Sequence, residues 1–107
     1  MMRVAHRGLA GLYPENTMIS FRNAVRAGVD QLETDVHMTK DGELVLIHDA
    51  TLDRTTNGVG PVKNCTLQQL KMLDASYKFP ELGRVQIPTL REFFEEFAPV
   101  EGMTFDI

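Results

Sequence analysis

The stretch that most constrains the fold of this chain runs from residue 33 to residue 49 and reads ETDVHMTKDGELVLIHD. Asp41-Gly42 between two strand-like runs is a strong signal for a β-hairpin with a two-residue loop. With that loop, the pairing register places Asp35 directly opposite His48, and directly opposite residues of an antiparallel pair share a face. We therefore expect these two side chains to lie on the same side of a short β-ribbon.

Glu33 adds a second carboxylate to that face. It precedes Asp35 by two residues, so the two side chains point the same way, about 6.6 Å apart along the strand. Carboxylate oxygens suit a hard divalent cation, and the imidazole of His48 suits proton transfer near neutral pH. The ribbon predicts a metal site with an acid–base group beside it. His37 shares the face in this register, and we interpret it as peripheral to the site.

The composition limits the kinds of protein this chain can be. At 107 residues it is one domain at most, and 43% hydrophobic with 24% charged residues is the balance of a soluble globular protein. The net charge is −4 with no Lys- or Arg-rich run, so neither a nucleic-acid surface nor an anionic-membrane surface is indicated. A single cysteine allows no disulfide within these residues, and no signal peptide or transmembrane segment is visible. A cytoplasmic location fits these features.

The first half of the chain alternates strand and helix. An apolar run at residues 2–5 predicts a buried strand. A helix is expected to follow, with Asn16 as its N-cap and Gly28 just beyond its end. Residues 29–36 are then expected to carry the chain into the second strand and the hairpin.

Two capping boxes predict helices in the second half of the chain. Thr66 with Gln69 precedes a short helix, and Thr89 with Glu92 precedes a helix with a phenylalanine stripe. A last strand is predicted to begin near Met103. This alternation predicts an α/β fold with a mainly parallel sheet.

The length of the chain bears on the kind of α/β fold. A closed eight-stranded barrel needs about 250 residues, so this chain has room for roughly half of one. Ending at the last strand would leave an uncovered sheet edge, which favours part of a longer barrel over a complete open domain. The second and third strands are too close in sequence for a helical crossover, so we expect the chain to reverse at Asp41-Gly42 with no helix there.

Six short motifs occur in the order found in one enzyme family. They are His6-Arg7-Gly8, Pro14-Glu15-Asn16-Thr17, Glu33-x-Asp35-Val36, Thr39-Lys40-Asp41-Gly42, His48-Asp49 and Leu52-Asp53-Arg54-Thr55-Thr56. In this ordered set the chain resembles the N-terminal half of a glycerophosphodiester phosphodiesterase. The resemblance implies the N-terminal part of a TIM-type (β/α)8 barrel related to phosphatidylinositol-specific phospholipases C, with residues 1–107 as a barrel domain truncated at its C-terminal end. It also implies hydrolysis of small glycerophosphodiesters to glycerol 3-phosphate and an alcohol, with a divalent cation such as Mg²⁺ or Ca²⁺.

The same resemblance implies roles for five residues. His6 and His48 would be the general acid and the general base. Glu33 and Asp35 would be metal ligands. Arg7 would contact the phosphate of the substrate.

A further metal carboxylate of the family is expected outside these residues. It lies in a Glu-x-Lys motif that the resemblance places directly after Ile107. Asp106 is not given this role, because it lies too early in the strand and is expected to face differently. On this basis the 107 residues by themselves are expected to lack one ligand of the metal.

Each assignment has a structural alternative. His6 could end a buried strand with its ring bonded to the backbone, and His48 could be an exposed hairpin residue. The two carboxylates could be the solvated face of an edge strand. Arg7 could simply pair with Glu15, and Asp49 could orient a neighbour or only cap its loop.

Two alternative functions stand beside the phosphodiesterase. One is a phospholipase of the same barrel superfamily, which should show an apolar rim or an interfacial helix, and this half shows neither. The other is a non-catalytic truncated α/β module that keeps part of the site.

Overall fold

A computed structural model of the chain describes residues 2–76 and 78–107. In chain order the regular elements are β1 (Val4–His6), α1 (Met18–Arg26), β2 (Gln31–Glu33), β3 (Val36–Met38), β4 (Leu44–Leu46), α2 (Leu67–Lys71), α3 (Leu90–Phe97) and β5 (Thr104–Asp106), with 3-10 turns at Val62–Asn64 and Pro80–Leu82. The fold is mixed α/β. Within the described residues, the helices are too short or too polar to cross a membrane.

Three strands form a parallel sheet in the order β1-β2-β5. Its register sets His6 beside Glu33 and Glu33 beside Asp106. Residues in register on neighbouring parallel strands point to the same side, so these three residues share one face of the sheet. The expectation that Asp106 faces differently is therefore wrong. Phe105 packs against the core, and strand alternation turns the next residue to the opposite face.

The hairpin strands β3 and β4 form a separate two-stranded antiparallel sheet. Residues 29–36 do not run as one strand into the hairpin, because the chain changes hydrogen-bond partners between Thr34 and Asp35. The backbone N–H of Thr34 still donates to the carbonyl of Asp106 at 3.0 Å. The carbonyl of Asp35 instead accepts from the N–H of Ile47, also at 3.0 Å. β2 therefore belongs to the parallel sheet and β3 to the hairpin.

The hairpin register differs by one residue from the expected register. Val36 pairs with Leu46, and Asp35 lies opposite Ile47 rather than His48. The prediction that Asp35 and His48 are directly opposite is thus wrong. Contacts other than the strand pairing therefore determine where the Asp35 and His48 side chains lie relative to each other.

A three-residue loop causes this shift. The N–H of Thr39 donates to the carbonyl of Glu43 at 2.8 Å, so the loop comprises residues 40–42. The Thr39 hydroxyl donates to Asp41 at 2.6 Å and accepts from the N–H of Glu43 at 2.9 Å. Gly42 has a φ of +84°, the left-handed conformation that closes three-residue hairpin loops. The Asp-Gly signal predicts the position of the turn correctly. The turn is one residue longer than predicted, and the hydrogen bonds of the Thr39 hydroxyl stabilise this longer form.

The two predicted capping boxes are confirmed. Thr66 with Gln69 begins α2, and Thr89 with Glu92 begins α3. The expected cap of α1 is wrong by one residue, because Thr17 is its N-cap rather than Asn16. The Asn16 side chain is used elsewhere.

Strand β4 lies between two hydrophobic clusters. The first cluster consists of Ala5, Phe21, Ala24, Leu32, Leu46, Phe93 and Phe97. The second consists of Val45, Ile47, Leu52, Val62, Leu70, Ala75 and Ile87. Because alternate residues of β4 enter different clusters, a one-residue slip would turn each of them toward the wrong core. This pattern fixes the hairpin register.

Candidate active site

The residues expected to form the site lie at one end of the parallel sheet and in the loop after β4. His6 and Glu33 are the last residues of β1 and β2. Arg7 and Asp35 follow within two residues of those strand ends. His48 comes two residues after β4. We call the first four residues the sheet side of the site.

On the sheet side, Arg7 lies between two carboxylates. Its backbone N–H donates to the Glu33 carbonyl at 2.8 Å and lies 3.2 Å from Glu33 Oε2. Its guanidinium Nε lies 3.5 Å from Asp35 Oδ2. The Nδ1 atom of His6 is 3.5 Å from the same Glu33 oxygen, and the His6 side chain is 78% exposed. The ring of His6 therefore contacts a carboxylate and is open to an approaching molecule.

The backbone at Arg7 is held in an uncommon conformation. Its φ is +56°, which non-glycine residues rarely adopt. The N–H of Asn16 donates to the Arg7 carbonyl at 2.9 Å. A Cβ at the next residue, Gly8, would lie 2.3 Å from Ser20 Oγ. Only glycine lets the loop that carries Arg7 pack so closely against α1.

Asn16 holds the other sheet-side carboxylate. Its side chain is buried, with 2% of the residue exposed. Its Nδ2 donates to Asp35 Oδ2 at 3.3 Å, and its Oδ1 accepts from the Thr34 hydroxyl at 2.8 Å. Because asparagine is common at helix N-caps, the sequence predicted Asn16 to be a cap. Its contact with Asp35 becomes visible only in the folded structure.

A second group, which we call the loop side, consists of His48, Asp49 and Arg54. His48 Nδ1 lies 2.8 Å from Asp49 Oδ1. Arg54 donates to both oxygens of Asp49, from Nε at 2.9 Å and from Nη2 at 3.1 Å. Hydrogen bonds from Arg54 and from His48 hold the pKa of Asp49 well below its usual range. Since an ionised carboxylate only accepts, the Nδ1 atom of His48 must carry its proton and donate it.

Glu15 connects the two sides. Arg54 donates to it from Nη1 at 2.8 Å and from Nη2 at 3.0 Å, and Arg7 Nη1 donates to it at 3.4 Å. Burial alone would raise the pKa of Glu15, but the hydrogen bond and charge of Arg54 and the charge of Arg7 lower it below its usual value. The same carboxylate raises the pKa of Arg54, with Asp49 adding to the effect. Glu15, Asp49 and Arg54 are therefore all charged at neutral pH.

The contacts thus bring together all five expected site residues in one chain of interactions. His6, Glu33, Arg7 and Asp35 touch directly, and His48 joins them through the loop side and Glu15. The alternative that Arg7 pairs with Glu15 and the alternative that Asp49 orients a neighbour are both present as contacts. They are part of the arrangement and do not compete with it.

The sequence alone did not predict that Arg54 belongs to the site. It falls within the motif at residues 52–56, but an ion pair with Glu15 spans 39 residues. No local pattern signals such a pairing. His37, interpreted as peripheral, donates from Nε2 to the His48 carbonyl at 3.0 Å and so supports the backbone of the loop side.

The two sheet-side carboxylates are the residues that fit a divalent cation. The contacts that Glu33 and Asp35 make to neighbouring side chains use Oε2 and Oδ2. Within residues 2–76 and 78–107, no set of three or more His, Cys, Asp or Glu side chains is arranged to hold a metal. Two carboxylates would supply only part of the oxygen shell of a hard cation, with water and ligand oxygens filling the other positions.

Acid–base and carboxylate groups gathered at the carboxyl ends of parallel strands are typical of α/β enzymes, which place their sites at this edge. The chain belongs to the glycerophosphoryl diester phosphodiesterase family, whose family model matches residues 6–107. This confirms the resemblance read from the motifs.

Two curated relatives illustrate the similarity. The chain is 54% identical over 93 residues to a glycerophosphodiester phosphodiesterase of Caldanaerobacter subterraneus subsp. tengcongensis, covering 86% of this chain and 38% of the relative. It is 42% identical over 106 residues to a glycerophosphodiester phosphodiesterase of Bacillus subtilis, covering 91% of this chain and 36% of the relative. The chain therefore spans less than half of the length of either relative.

Solved structures show the same likeness. A glycerophosphodiester phosphodiesterase from Agrobacterium tumefaciens superposes with a TM-score of 0.90 at 37% identity, covering 98% of this chain and 46% of that one. A phosphodiesterase from Oleispira antarctica, in complex with the product sn-glycerol-3-phosphate, gives a TM-score of 0.84 at 43% identity over 89% of this chain and 39% of that one. The local fold of this chain thus matches enzymes of the family.

Proposed function

We propose that this chain carries the catalytic site of a metal-dependent glycerophosphodiester phosphodiesterase, which releases glycerol 3-phosphate and an alcohol. The observation that supports it best is the direct contact of His6, Arg7, Glu33 and Asp35 at the strand ends. The Oleispira enzyme, whose structure holds the product sn-glycerol-3-phosphate, supports this product class. We also propose that the parallel strands and their helices are the N-terminal part of a (β/α)8 barrel.

Charge is the first obstacle in the proposed reaction. A phosphodiester is an anion, and its hydrolysis needs groups that accept charge on the phosphate oxygens. Arg7 offers a planar fork of N–H donors to those oxygens. Its Nη1 lies 3.4 Å from Glu15, a contact that orients the side chain and leaves its remaining N–H donors for the phosphate. Arg7 therefore binds and orients the phosphate.

Glu33 and Asp35 are the proposed ligands of the divalent cation. Their carboxylates suit Mg²⁺ or Ca²⁺, which prefer oxygen ligands. When bound there, the cation would supply further neutralisation of the phosphate charge. Asn16 and Arg7 hold the two carboxylates in place before any cation binds.

His48 and His6 are the proposed proton-transfer groups. Because Nδ1 of His48 donates to Asp49, the lone pair of a neutral His48 ring lies on Nε2. This arrangement favours His48 as the general base. His6, which contacts Glu33, then supplies the proton to the departing alcohol. One ring must be neutral while the other is charged, which predicts a bell-shaped dependence of rate on pH.

Hydrolysis of glycerophosphocholine by the complete gene product tests the proposal. We expect a chelator to abolish the activity and added Mg²⁺ or Ca²⁺ to restore it. Replacing His6 or His48 by alanine should lower kcat by about 10²–10⁴-fold, because each removes a general acid or base. Glu101→Gln, on an exposed residue, is the control.

Three results would contradict this function. Activity that persists in the chelator, or that survives both histidine substitutions, would remove the proposed chemistry. Faster hydrolysis of intact phosphatidylinositol than of glycerophosphocholine would instead favour the phospholipase alternative.

A further inference from the structure

Arg54 occupies a central position that the proposed catalytic roles leave unexplained. Its guanidinium makes four hydrogen bonds to two carboxylates, with distances from 2.8 to 3.1 Å. One carboxylate, Asp49, contacts the ring of His48, and the other, Glu15, contacts Arg7. Arg54 does not need to touch a substrate to influence both of these groups.

We propose that Arg54 is a positioning residue that ties the proposed base, His48, to the proposed phosphate-binding residue, Arg7. This inference rests on the proposed function and adds a residue to it. Arg54 keeps Asp49 in the orientation that fixes the His48 ring. It also keeps Glu15 in the orientation that directs Arg7.

The geometry of the guanidinium accounts for the choice of residue. Nε and Nη2 face Asp49, while Nη1 and Nη2 face Glu15. A planar group with five N–H donors can serve two carboxylates at once, whereas the ammonium of lysine is a single point of charge. A lysine at this position should retain the positive charge but hold Asp49 and Glu15 less firmly in their orientations.

The hairpin register explains why side-chain contacts are needed to connect His48 to Arg7. Asp35 lies opposite Ile47 in the backbone ladder, so the ladder does not place His48 against the sheet side. His48 has 43% of its side chain exposed and follows the last residue of β4 by two positions. The contacts of the His48 ring with the sheet side therefore run through side chains, and Arg54 lies in the middle of these contacts.

Arg22 provides a matched control. Its guanidinium also binds a carboxylate with two hydrogen bonds, from Nε and Nη2 to Glu96, between α1 and α3. It is similarly exposed, at 54% of its side chain against 40% for Arg54. Loss of this pair removes an ion pair of the same kind without touching the site.

The first measurement compares Arg54→Gln, Arg54→Lys and Arg22→Gln in the complete gene product. For Arg54→Gln we expect kcat on glycerophosphocholine to fall by roughly 10²-fold, the size associated with a misplaced catalytic group. Arg54→Lys should recover part of the loss, and Arg22→Gln should match the parent. Glu15→Gln, which leaves Asp49 paired with Arg54, should raise KM more than it lowers kcat.

The second measurement needs no substrate. Nitrogen NMR shifts of the His48 ring report which nitrogen carries the proton. We expect Nδ1–H in the parent and in Arg22→Gln, and a mixture of the two tautomers in Arg54→Gln. The ring of His37, which donates from Nε2, should be unchanged and reports that the hairpin is folded.

The outcomes separate this inference from the proposed function. If Arg54→Gln keeps the kcat and the His48 tautomer of Arg22→Gln while His48→Ala is inactive, the positioning role is wrong and the phosphodiesterase remains. If His48→Ala is as active as the parent, the proposed function itself fails. If Arg54→Gln does not fold, Arg54→Lys decides, since an unchanged kcat and tautomer there would contradict the need for a planar fork.

Discussion

The sheet side and the loop side of the site are held by different kinds of interaction. On the sheet side, backbone register sets His6 beside Glu33, and the buried Asn16 holds Asp35. On the loop side, His48 is held by partly exposed ion pairs that centre on Arg54, whose side chain is 40% exposed. The first depends on main-chain hydrogen bonds beside a hydrophobic core, and the second depends on charge.

This difference predicts which side is the easier one to disturb. Exposed ion pairs are screened by salt and contribute little stability, whereas buried backbone pairing is insensitive to salt. Substitutions on the sheet side should therefore change both folding and activity. Substitutions on the loop side should change activity with little effect on folding.

The largest expected effect is on activity from the sheet side. Asp35→Asn removes a proposed cation ligand and the charge that faces Arg7. We expect kcat/KM for glycerophosphocholine to fall by about 10²–10³-fold, because metal-assisted charge stabilisation is worth several kcal/mol. A higher cation concentration should recover part of the loss. Equal activity in Asp35→Asn and Glu101→Gln would exclude Asp35 as a ligand.

The next effect is on stability, again from the sheet side. Asn16→Ala leaves the buried Thr34 hydroxyl without its acceptor and removes one of the two side-chain contacts of Asp35 Oδ2. We expect the free energy of unfolding in urea to fall by about 1–3 kcal/mol. Asn64→Ala, at an exposed position, is the control. A loss no larger than that of the control would mean that Asn16 contributes nothing to holding Asp35.

A smaller effect on stability is expected from the hairpin loop, residues 40–42. This loop sets the register of β4, the strand that leads to the loop side. Gly42 has a φ of +84°, and a Cβ there would meet no neighbouring atom, so any cost arises from the backbone alone. Gly42→Ala should destabilise the protein by about 1–2 kcal/mol, and Gly42→Asn by less, since asparagine tolerates this conformation. Thermal unfolding of both variants checks the order. Equal stabilities would contradict a left-handed residue at this position.

The smallest effect concerns pH and the loop side. Asp49 and Glu15 have lowered pKa values in the folded chain, so the unfolded chain binds more protons in acid. Their contribution is fully present above the unfolded values near 4 and is lost as the pH falls toward the folded values. We expect a loss of roughly 1 kcal/mol or less, measured by urea unfolding from pH 6 to pH 3. Asp49→Asn should flatten this dependence, and an unchanged slope would show that the Asp49 contacts add no stability.

Much of the sheet side could be predicted from the sequence. His6 and Glu33 end strands whose carboxyl ends meet at one edge, and the two-residue spacing to Asp35 is local information. The capping boxes at Thr66 and Thr89 are local as well, and both were found where predicted. Such features depend on neighbours in sequence, which the chain itself displays.

The loop side could not be derived in the same way. The hairpin register was predicted wrongly because the Thr39 hydroxyl lengthens the turn, and one residue is enough to change every pairing. The ion pair of Arg54 with Glu15 joins residues that are 39 apart, and only the folded chain brings them together. The face of Asp106 was also predicted wrongly, since it depends on where β5 begins to pair with β2.

The most direct test of a single site built from two sides is a titration with sn-glycerol 3-phosphate. The complete gene product, with a divalent cation present, would be followed by NMR of its histidine rings. We predict that the His6 and His48 signals move together with one binding midpoint, because in the proposed site both rings would contact the same phosphate ester. Movement of only one ring, different midpoints, or no movement at product concentrations that inhibit glycerophosphocholine hydrolysis would contradict this account.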